Sequence, residues 1–395
     1  MAQWTCTICY HGFDARSRPE SCPECGSSPY SIVELPAEGT TVKPGQYVGV
    51  PGSLDEVRNR ARIRMKGICA AYPWCDGADD RVCNREAYGA PIGMGGVGTG
   101  TSFANNVQAL TKLQLKMQVV GEHFVPSATT NFLGLELSFP IMGASTSGIA
   151  SYTTEIDEND FCRAAIRGCR EAGTISWRGD THFYTEENHP GLNAIEKEQG
   201  FGIPIFKPRH QDVLKRLIAR AEAMGCPAVG VDLDGCGSTN MARGGQPVFR
   251  KSPEDIRELV SSTRLPFICK GIMHPEDALA CVEAGAKVIA VSNHGGRVLD
   301  GSPGVAEVLP SIVEAVGDSV IITADGGVRT GFDALKMLAL GADAVLVGRD
   351  VIRAAVGGGS YGVAMQMKRF DAVLRRAMLM TGCPDTGSID TSILV

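Results

Sequence analysis

The residues best placed to do chemistry stand in Ser292-Asn293-His294-Gly295-Gly296-Arg297, directly after the apolar run 287–291. An imidazole on a glycine-softened turn at the end of a buried strand can accept a proton near neutral pH. A guanidinium three residues on can hold an anionic substrate in a bidentate grip. A histidine in a tight turn can also do no more than satisfy backbone groups, so its weight depends on what else converges there. Asp232, Lys270 and Asp325 each end an apolar run of the same kind. Singly they have plain readings: Asp232 paired with Arg243, Lys270 solvated in a loop, Asp325 capping the next helix. Together, four ionisable groups at equivalent places in four runs call for a common cause.

A second chemistry sits at the front. Cys6, Cys9, Cys22 and Cys25 read C-x2-C-x12-C-x2-C, a spacing that lets two short knuckles bring four thiolates to one tetrahedral metal ion. The segment is too short to fold around a core of its own, so a metal is expected to hold it together. Trp4-Thr5-Cys6-Thr7-Ile8-Cys9 and Cys22-Pro23-Glu24-Cys25-Gly26 resemble rubredoxin, especially the rubredoxin-like tail of rubrerythrins. The resemblance implies a one-electron iron centre, with a zinc ribbon as the alternative. The chain departs from it at Tyr10, where that family usually has glycine. Cys69, Cys75 and Cys83, spaced C-x5-C-x7-C, form a third candidate set, for an iron–sulfur cluster.

With 395 residues, 44% of them hydrophobic, and a net charge of −6, the chain can bury a large core and has no basic excess of the kind that binds nucleic acid. Small molecules and other proteins are the expected partners. No apolar run reaches the length of a membrane span, and the first residues lack the pattern of a signal peptide, so a cytoplasmic protein is expected. In that compartment fourteen cysteines point to metal sites and buried thiols rather than disulfides.

These groups need a scaffold. Residues 1–35 read as the rubredoxin-like metal domain, and 36–52, rich in Pro, Gly, Thr and Val, as a linker. Residues 53–134 read as a helical, cysteine-containing extension, opened by a capping box of Ser53 and Glu56. Residues 135–395 alternate strand-length apolar runs with amphipathic helical stretches, and the junction recurs: Gly173, Gly225, Gly285 and Gly341 each end a helix just before an apolar run. Eight runs, at 139–144, 174–177, 203–206, 228–232, 266–269, 288–292, 320–324 and 344–347, predict an α/β (β/α)8 TIM barrel. Barrels carry their active sites at the carboxyl ends of the strands, where Asp232, Lys270, His294 and Asp325 fall.

Asp325-Gly326-Gly327-Val328-Arg329 after the seventh run and Gly348-Arg349 after the eighth stand where such barrels bind phosphate with backbone amides and arginine. Combined with residues 292–300, this pattern resembles the FMN-dependent α-hydroxy-acid oxidases and dehydrogenases of the glycolate oxidase and lactate dehydrogenase type. The likeness is densest from residue 269 to 384 and thinner back to about residue 130. It implies that His294 is the base for the substrate hydroxyl proton, with Asp232 orienting it, Arg297 holding the substrate carboxylate and Lys270 beside the flavin ring. By the same resemblance Arg329, Arg349, Gly327 and Gly348 hold the FMN phosphate, Asp325 the ribityl chain, and Ser145, Thr146, Ser176 and Ser292 line the flavin.

The departures bear on substrate. Family members acting on short hydroxy acids commonly have a tyrosine just after the third strand and a paired arginine after the fourth. Here Phe206-Lys207-Pro208-Arg209 and Leu233-Asp234-Gly235-Cys236 stand there, with Arg243 as a candidate replacement and Lys207 able to approach the flavin. Gly93-Met94-Gly95-Gly96-Val97-Gly98-Thr99-Gly100 resembles a segment of anaerobe members, which also have cysteines ahead of it. The expected function is an FMN-dependent dehydrogenase that oxidises a 2-hydroxy acid to a 2-oxo acid and passes electrons singly to the iron centre. A redox protein as final acceptor and assembly into a homo-oligomer are expected with it. The alternatives are glutamate-synthase-like or isomerase chemistry on the same barrel, or a flavin and iron electron-transfer protein without catalysis.

Overall fold

The computed structural model describes residues 2–35, 49–65 and 96–395. Cys69, Cys75 and Cys83, and with them the expected iron–sulfur site, lie outside the described residues.

Strands β1 (Ala2–Cys6), β2 (Gly12–Ala15) and β3 (Ile32–Glu34) form an antiparallel sheet in the order β2-β1-β3. Helix α1 (Leu54–Arg64) starts at Ser53, whose side chain accepts from the Glu56 amide as the capping box predicts. The Glu56 carboxylate, however, takes the Gly52 amide rather than that of Ser53. Helix α2 (Thr101–Lys112) is followed by a hairpin, β4 (Thr130–Phe132) with β5 (Leu135–Leu137).

Eight parallel strands then close a barrel: β6 (Ile141–Thr146), β7 (Ser176–Arg178), β8 (Ile203–Phe206), β9 (Val229–Asp232), β10 (Phe267–Ile272), β11 (Val288–Val291), β12 (Ile321–Ala324) and β13 (Ala344–Val347). Each of the eight predicted runs is a strand, and β13 pairs with β6, Val345 opposite Ile141, to complete the ring. The connections carry α3 (Glu158–Ala172), α4 (Pro190–Lys197), α5 (Gln211–Ala223), the short α6 (Thr239–Arg243), α7 (Pro253–Ser261), α8 (Pro275–Glu283), α9 (Val305–Val316), α10 (Gly331–Ala339) and α11 (Arg349–Thr381). The repeated glycine acts as its position suggested: Gly173, Gly225, Gly285 and Gly341 all have φ between 73° and 103°, where a Cβ is penalised.

Two apolar layers hold the barrel. Met142, Trp177, Ile205, Ile268 and Leu346 fill its interior, and the β4–β5 hairpin joins them through Phe132 and Leu137. The outer layer lies between strands and helices, and Trp4, Cys6 and Ile32 of the N-terminal sheet belong to it with Ile8 of the turn after β1. That sheet is also tied to the barrel by polar bonds. The Asp160 carboxylate on α3 accepts from the Ser28 amide and hydroxyl and from the Ser31 hydroxyl, and Arg163 donates to the Cys25 carbonyl. On α11, Gly358 and Gly359 break the helix, and there the Ser360 amide and hydroxyl meet the Thr7 carbonyl. Among the described residues no helix is long and apolar enough to cross a membrane.

Candidate active site

Parallel register places the first charged pair: Lys270 on β10 stands opposite Asp232 on β9. In-register neighbours on parallel strands point to the same side, here into the barrel mouth, and Lys270 Nζ donates to Asp232 Oδ1 at 3.0 Å. His294 arrives on the turn after β11. Its own φ is +57°, followed by +62° at Gly295 and +80° at Gly296, so three left-handed residues in a row swing the ring back over the mouth. A left-handed non-glycine residue costs roughly 1–2 kcal/mol, and the surroundings hold it. The His294 amide donates to Ser292 Oγ, and Asn293 donates to the side chain of Asn106 on α2 and to the Pro303 carbonyl. Residues 96–101 lie over the same turn: Val97 donates its amide to the Gly296 carbonyl, and Asp300 accepts from Thr99 and Thr101.

Two carboxylates meet the imidazole. Nδ1 lies 3.1 Å from Asp234 Oδ1 and 3.3 Å from Asp232 Oδ2. Carboxylates accept only, so Nδ1 carries a proton and the lone pair of a neutral ring is on Nε2. Nε2 lies 3.5 Å from the Lys207 ammonium, which also binds Asp232 Oδ2 at 2.5 Å. Asp232 is thus shared by three basic side chains. Burial would raise its pKa, but His294, Lys207 and Lys270 around it outweigh burial and hold it well below the usual carboxylate range. Burial would likewise depress the Lys270 ammonium, yet Asp232, Asp234 and Asp325 raise it, so it is a fixed positive charge. Asp325 goes the other way: burial raises it more than Lys270 and the Ser292 hydrogen bond lower it.

The mouth opens into a cavity of about 540 Å³, the size of a cofactor or drug-sized ligand site. His294, Asp232, Lys270, Arg297, Asp325, Ser145, Thr146, Gly327, Arg329, Gly348 and Arg349 all line it. Ser292 stands one layer behind, its hydroxyl bonded to Asp325 and Lys270. Ser176 is a correction. It opens the three-residue β7, is fully buried, and its hydroxyl turns to the Trp177 carbonyl, so Asp180 and Thr181 beyond the strand reach the cavity in its place. The plain readings also fall. Thr330, not Asp325, caps α10; Lys270 is buried; Asp232 pairs with lysines rather than Arg243, which lines the cavity from α6. Asp234 is a residue whose part the sequence left unassigned, and Lys207, expected near the flavin, is found on Asp232 and His294. In the sequence the trace of both is that charged residues interrupt places expected to carry other types.

The sequence pattern described as FMN-dependent dehydrogenase matches residues 92–252 and 237–395. The chain belongs to this family. Membership makes it an FMN-dependent oxidoreductase. It is 31% identical over 337 residues to 2-Hydroxyacid oxidase 1 of Homo sapiens, covering 74% of this chain and 88% of that enzyme. It is 40% identical over 203 residues to an L-lactate oxidase of Alicycliphilus denitrificans, a stretch spanning 42% of this chain and 56% of that one. A crystal structure of mandelate oxidase R163L superposes with a TM-score of 0.68 at 27% identity, covering 87% of this chain and 97% of that one. The family match starts at residue 92, so the cysteine module lies outside it.

In that module the four sulfur atoms lie within 4.8 Å of one another, with Cys6 to Cys25 at 3.7 Å and Cys9 to Cys22 at 3.6 Å. A tetrahedron with metal–sulfur bonds of about 2.3 Å has edges of about 3.8 Å, so these separations suit one thiolate-bound ion. The Cys6 thiol donating to Cys25 and the Ser27 hydroxyl nearby pull the Cys25 thiol down to about 3 against its burial. Tyr10 adopts φ +61°, the conformation glycine would have taken, and sets its ring edge-on against Tyr361 of α11.

Proposed function

We propose that this protein oxidises a 2-hydroxy acid to the 2-oxo acid and releases the electrons one at a time through a metal ion held by Cys6, Cys9, Cys22 and Cys25. The observation that carries the oxidation is the bracing of His294 Nδ1 by Asp232 and Asp234, which leaves Nε2 toward the cavity as a proton acceptor. The cavity residues fit FMN. Arg329, Arg349 and the amides at Gly327 and Gly348 would hold its phosphate, Asp325 with Ser292 behind it the ribityl chain, and Ser145 and Thr146 a flank of the ring. When bound there, the flavin supplies a hydride acceptor for the substrate α-carbon. Lys270, kept charged by three carboxylates, offers a permanent cation to whatever negative charge builds beside it. Arg297 would grip the substrate carboxylate, and His294 Nε2 would take the hydroxyl proton, with Asp232 and Asp234 opposite the positive charge the ring then carries.

The electron outlet rests on placement. Residues 349–357 of α11 form a rod of about 13 Å from the arginine on the cavity wall to the break that meets the Thr7 knuckle. Iron in the cysteine site would accept single electrons; zinc would make the module structural only.

An anaerobic screen of 2-hydroxy acids, followed at the flavin and ferric-thiolate bands, tests both parts. Bleaching of the flavin by at least one acid, followed by loss of the iron bands, is expected. His294→Ala should retain FMN and lose bleaching by at least about 100-fold. Bleaching at the native rate in that variant removes the base assignment. A module that takes up only zinc removes the electron outlet and leaves the oxidation standing.

A further inference from the structure

Lys207 is a buried cation at the reaction centre that neither flavin binding nor the carboxylate grip of Arg297 uses. It follows β8, lines the cavity, and is 9% exposed. Its ammonium has three donors. One goes to Asp232 Oδ2 at 2.5 Å and a second points at His294 Nε2, 3.5 Å away. The third has no partner among the described residues. Gly235 lets the chain pass this close, since a Cβ there would meet the Lys207 side chain at 2.8 Å.

We propose that Lys207 is a catalytic residue that clamps the substrate's C2 oxygen together with His294. The inference rests on the hydroxy-acid reading above. With the two nitrogens 3.5 Å apart, an oxygen about 2.8 Å from both lies only about 2.2 Å off the line joining them. One atom can therefore hydrogen-bond to both at once. Before substrate arrives, the ammonium covers the Nε2 lone pair; the incoming hydroxyl takes that place, donating to Nε2 and accepting from Nζ. In the reaction the O–H bond breaks and its proton goes to Nε2. With FMN held in the cavity, the C2–H bond would break and the hydrogen would leave with its electron pair as hydride for the flavin to accept, a C2=O bond forming as the substrate is oxidised and the flavin reduced. Lys207 stays protonated throughout. Its part is to offset the negative charge that grows on the C2 oxygen when proton loss runs ahead of hydride loss. Asp232 holds the ammonium in position and is itself kept ionised by Lys270 from the other side.

The test uses the full-length protein carrying FMN. Lys207→Met removes the charge at similar length, and Lys207→Arg keeps it. For the acid that bleaches the native protein, Lys207→Met should cut the rate constant of flavin reduction by about 100- to 1,000-fold at saturating acid, the usual effect of losing one oxyanion donor. FMN content should be unchanged, and Lys207→Arg should recover part of the rate. Reduction within about threefold of native in Lys207→Met overturns the clamp and leaves the hydroxy-acid reading intact. Failure of every acid to bleach the native protein sinks that reading instead. Oxalate, whose oxygens mimic a deprotonated hydroxy acid, gives a second readout by perturbing the flavin spectrum without turnover. Its dissociation constant should rise at least tenfold in Lys207→Met, and an unchanged constant overturns the clamp. If Lys207→Met loses its FMN, the same two measurements on Lys207→Gln decide.

Discussion

His294 shows how one side chain is aimed by residues far from it in sequence. Asp234, 60 positions earlier, approaches Nδ1 only because residue 271 is glycine: its φ is +91°, and a Cβ there would lie 2.5 Å from the Asp234 carboxyl carbon. Asp234 has a second oxygen, Oδ2, that is buried without a hydrogen bond. Such an arrangement costs stability and is held by its neighbours. Asp234→Asn weakens the hold on Nδ1 but leaves Asp232 in place. Flavin reduction by the substrate acid is therefore expected to slow by roughly 10- to 100-fold, with FMN still bound; a change in FMN binding alone would mean that Asp234 serves the fold. Gly271→Ala should give the same kinetic loss by displacing Asp234, together with a lower melting temperature.

At the scale of elements, the main feature is the join between the cysteine knuckle and the interrupted last helix. Gly358 and Gly359 leave helical geometry, and Gly359 at φ +59° would place a Cβ 2.5 Å from the Thr7 carbonyl oxygen. Ser360 then turns its amide to the buried Thr7 carbonyl and its hydroxyl to those of Thr7 and Ile8. Tyr10 packs on Tyr361, the residue after Ser360. A module that swung freely on a linker would need none of this. Gly359→Ala combines left-handed strain with a backbone clash, and should cost roughly 1–3 kcal/mol. The measure is the urea midpoint of the full-length protein at unchanged slope. A midpoint equal to that of the native protein would show that the contact does not hold.

At the scale of the whole molecule, stability should depend on pH through His189. This residue caps α4 by accepting from the Leu192 amide and is packed edge-on between Tyr184 and Phe206. Burial pulls its pKa down to about 4, with the Asp180 charge opposing too weakly to restore it. The unfolded chain binds the proton near 6.5, so between about 6.5 and about 4 the unfolded state holds more protons than the folded one. Stability from this group is therefore fully present above pH 6.5 and is lost as pH falls, by roughly 3 kcal/mol in all. Denaturant midpoints measured across that range should fall with acid. His189→Gln should remove that part of the slope, and an unchanged slope in the variant would assign the loss to other groups.

What the sequence determined by itself was local or repeated: eight apolar runs with a glycine before the strand at four of them, two cysteine knuckles, and charged residues at the ends of runs. Each reports a backbone need that nearby residues must meet, so the barrel and most of the charged groups on the cavity wall were legible. The tertiary structure decided what depends on closing the ring. Ser176 fell outside the cavity because a strand's register, not its composition, sets where it reaches the mouth. Asp234 and Lys207 came to opposite nitrogens of His294 from the turns after β9 and β8, 60 and 87 residues away. No window along the chain contains such a meeting, because charge pairs across a barrel are chosen by strand order and turn geometry, and only the closed barrel brings those to one place.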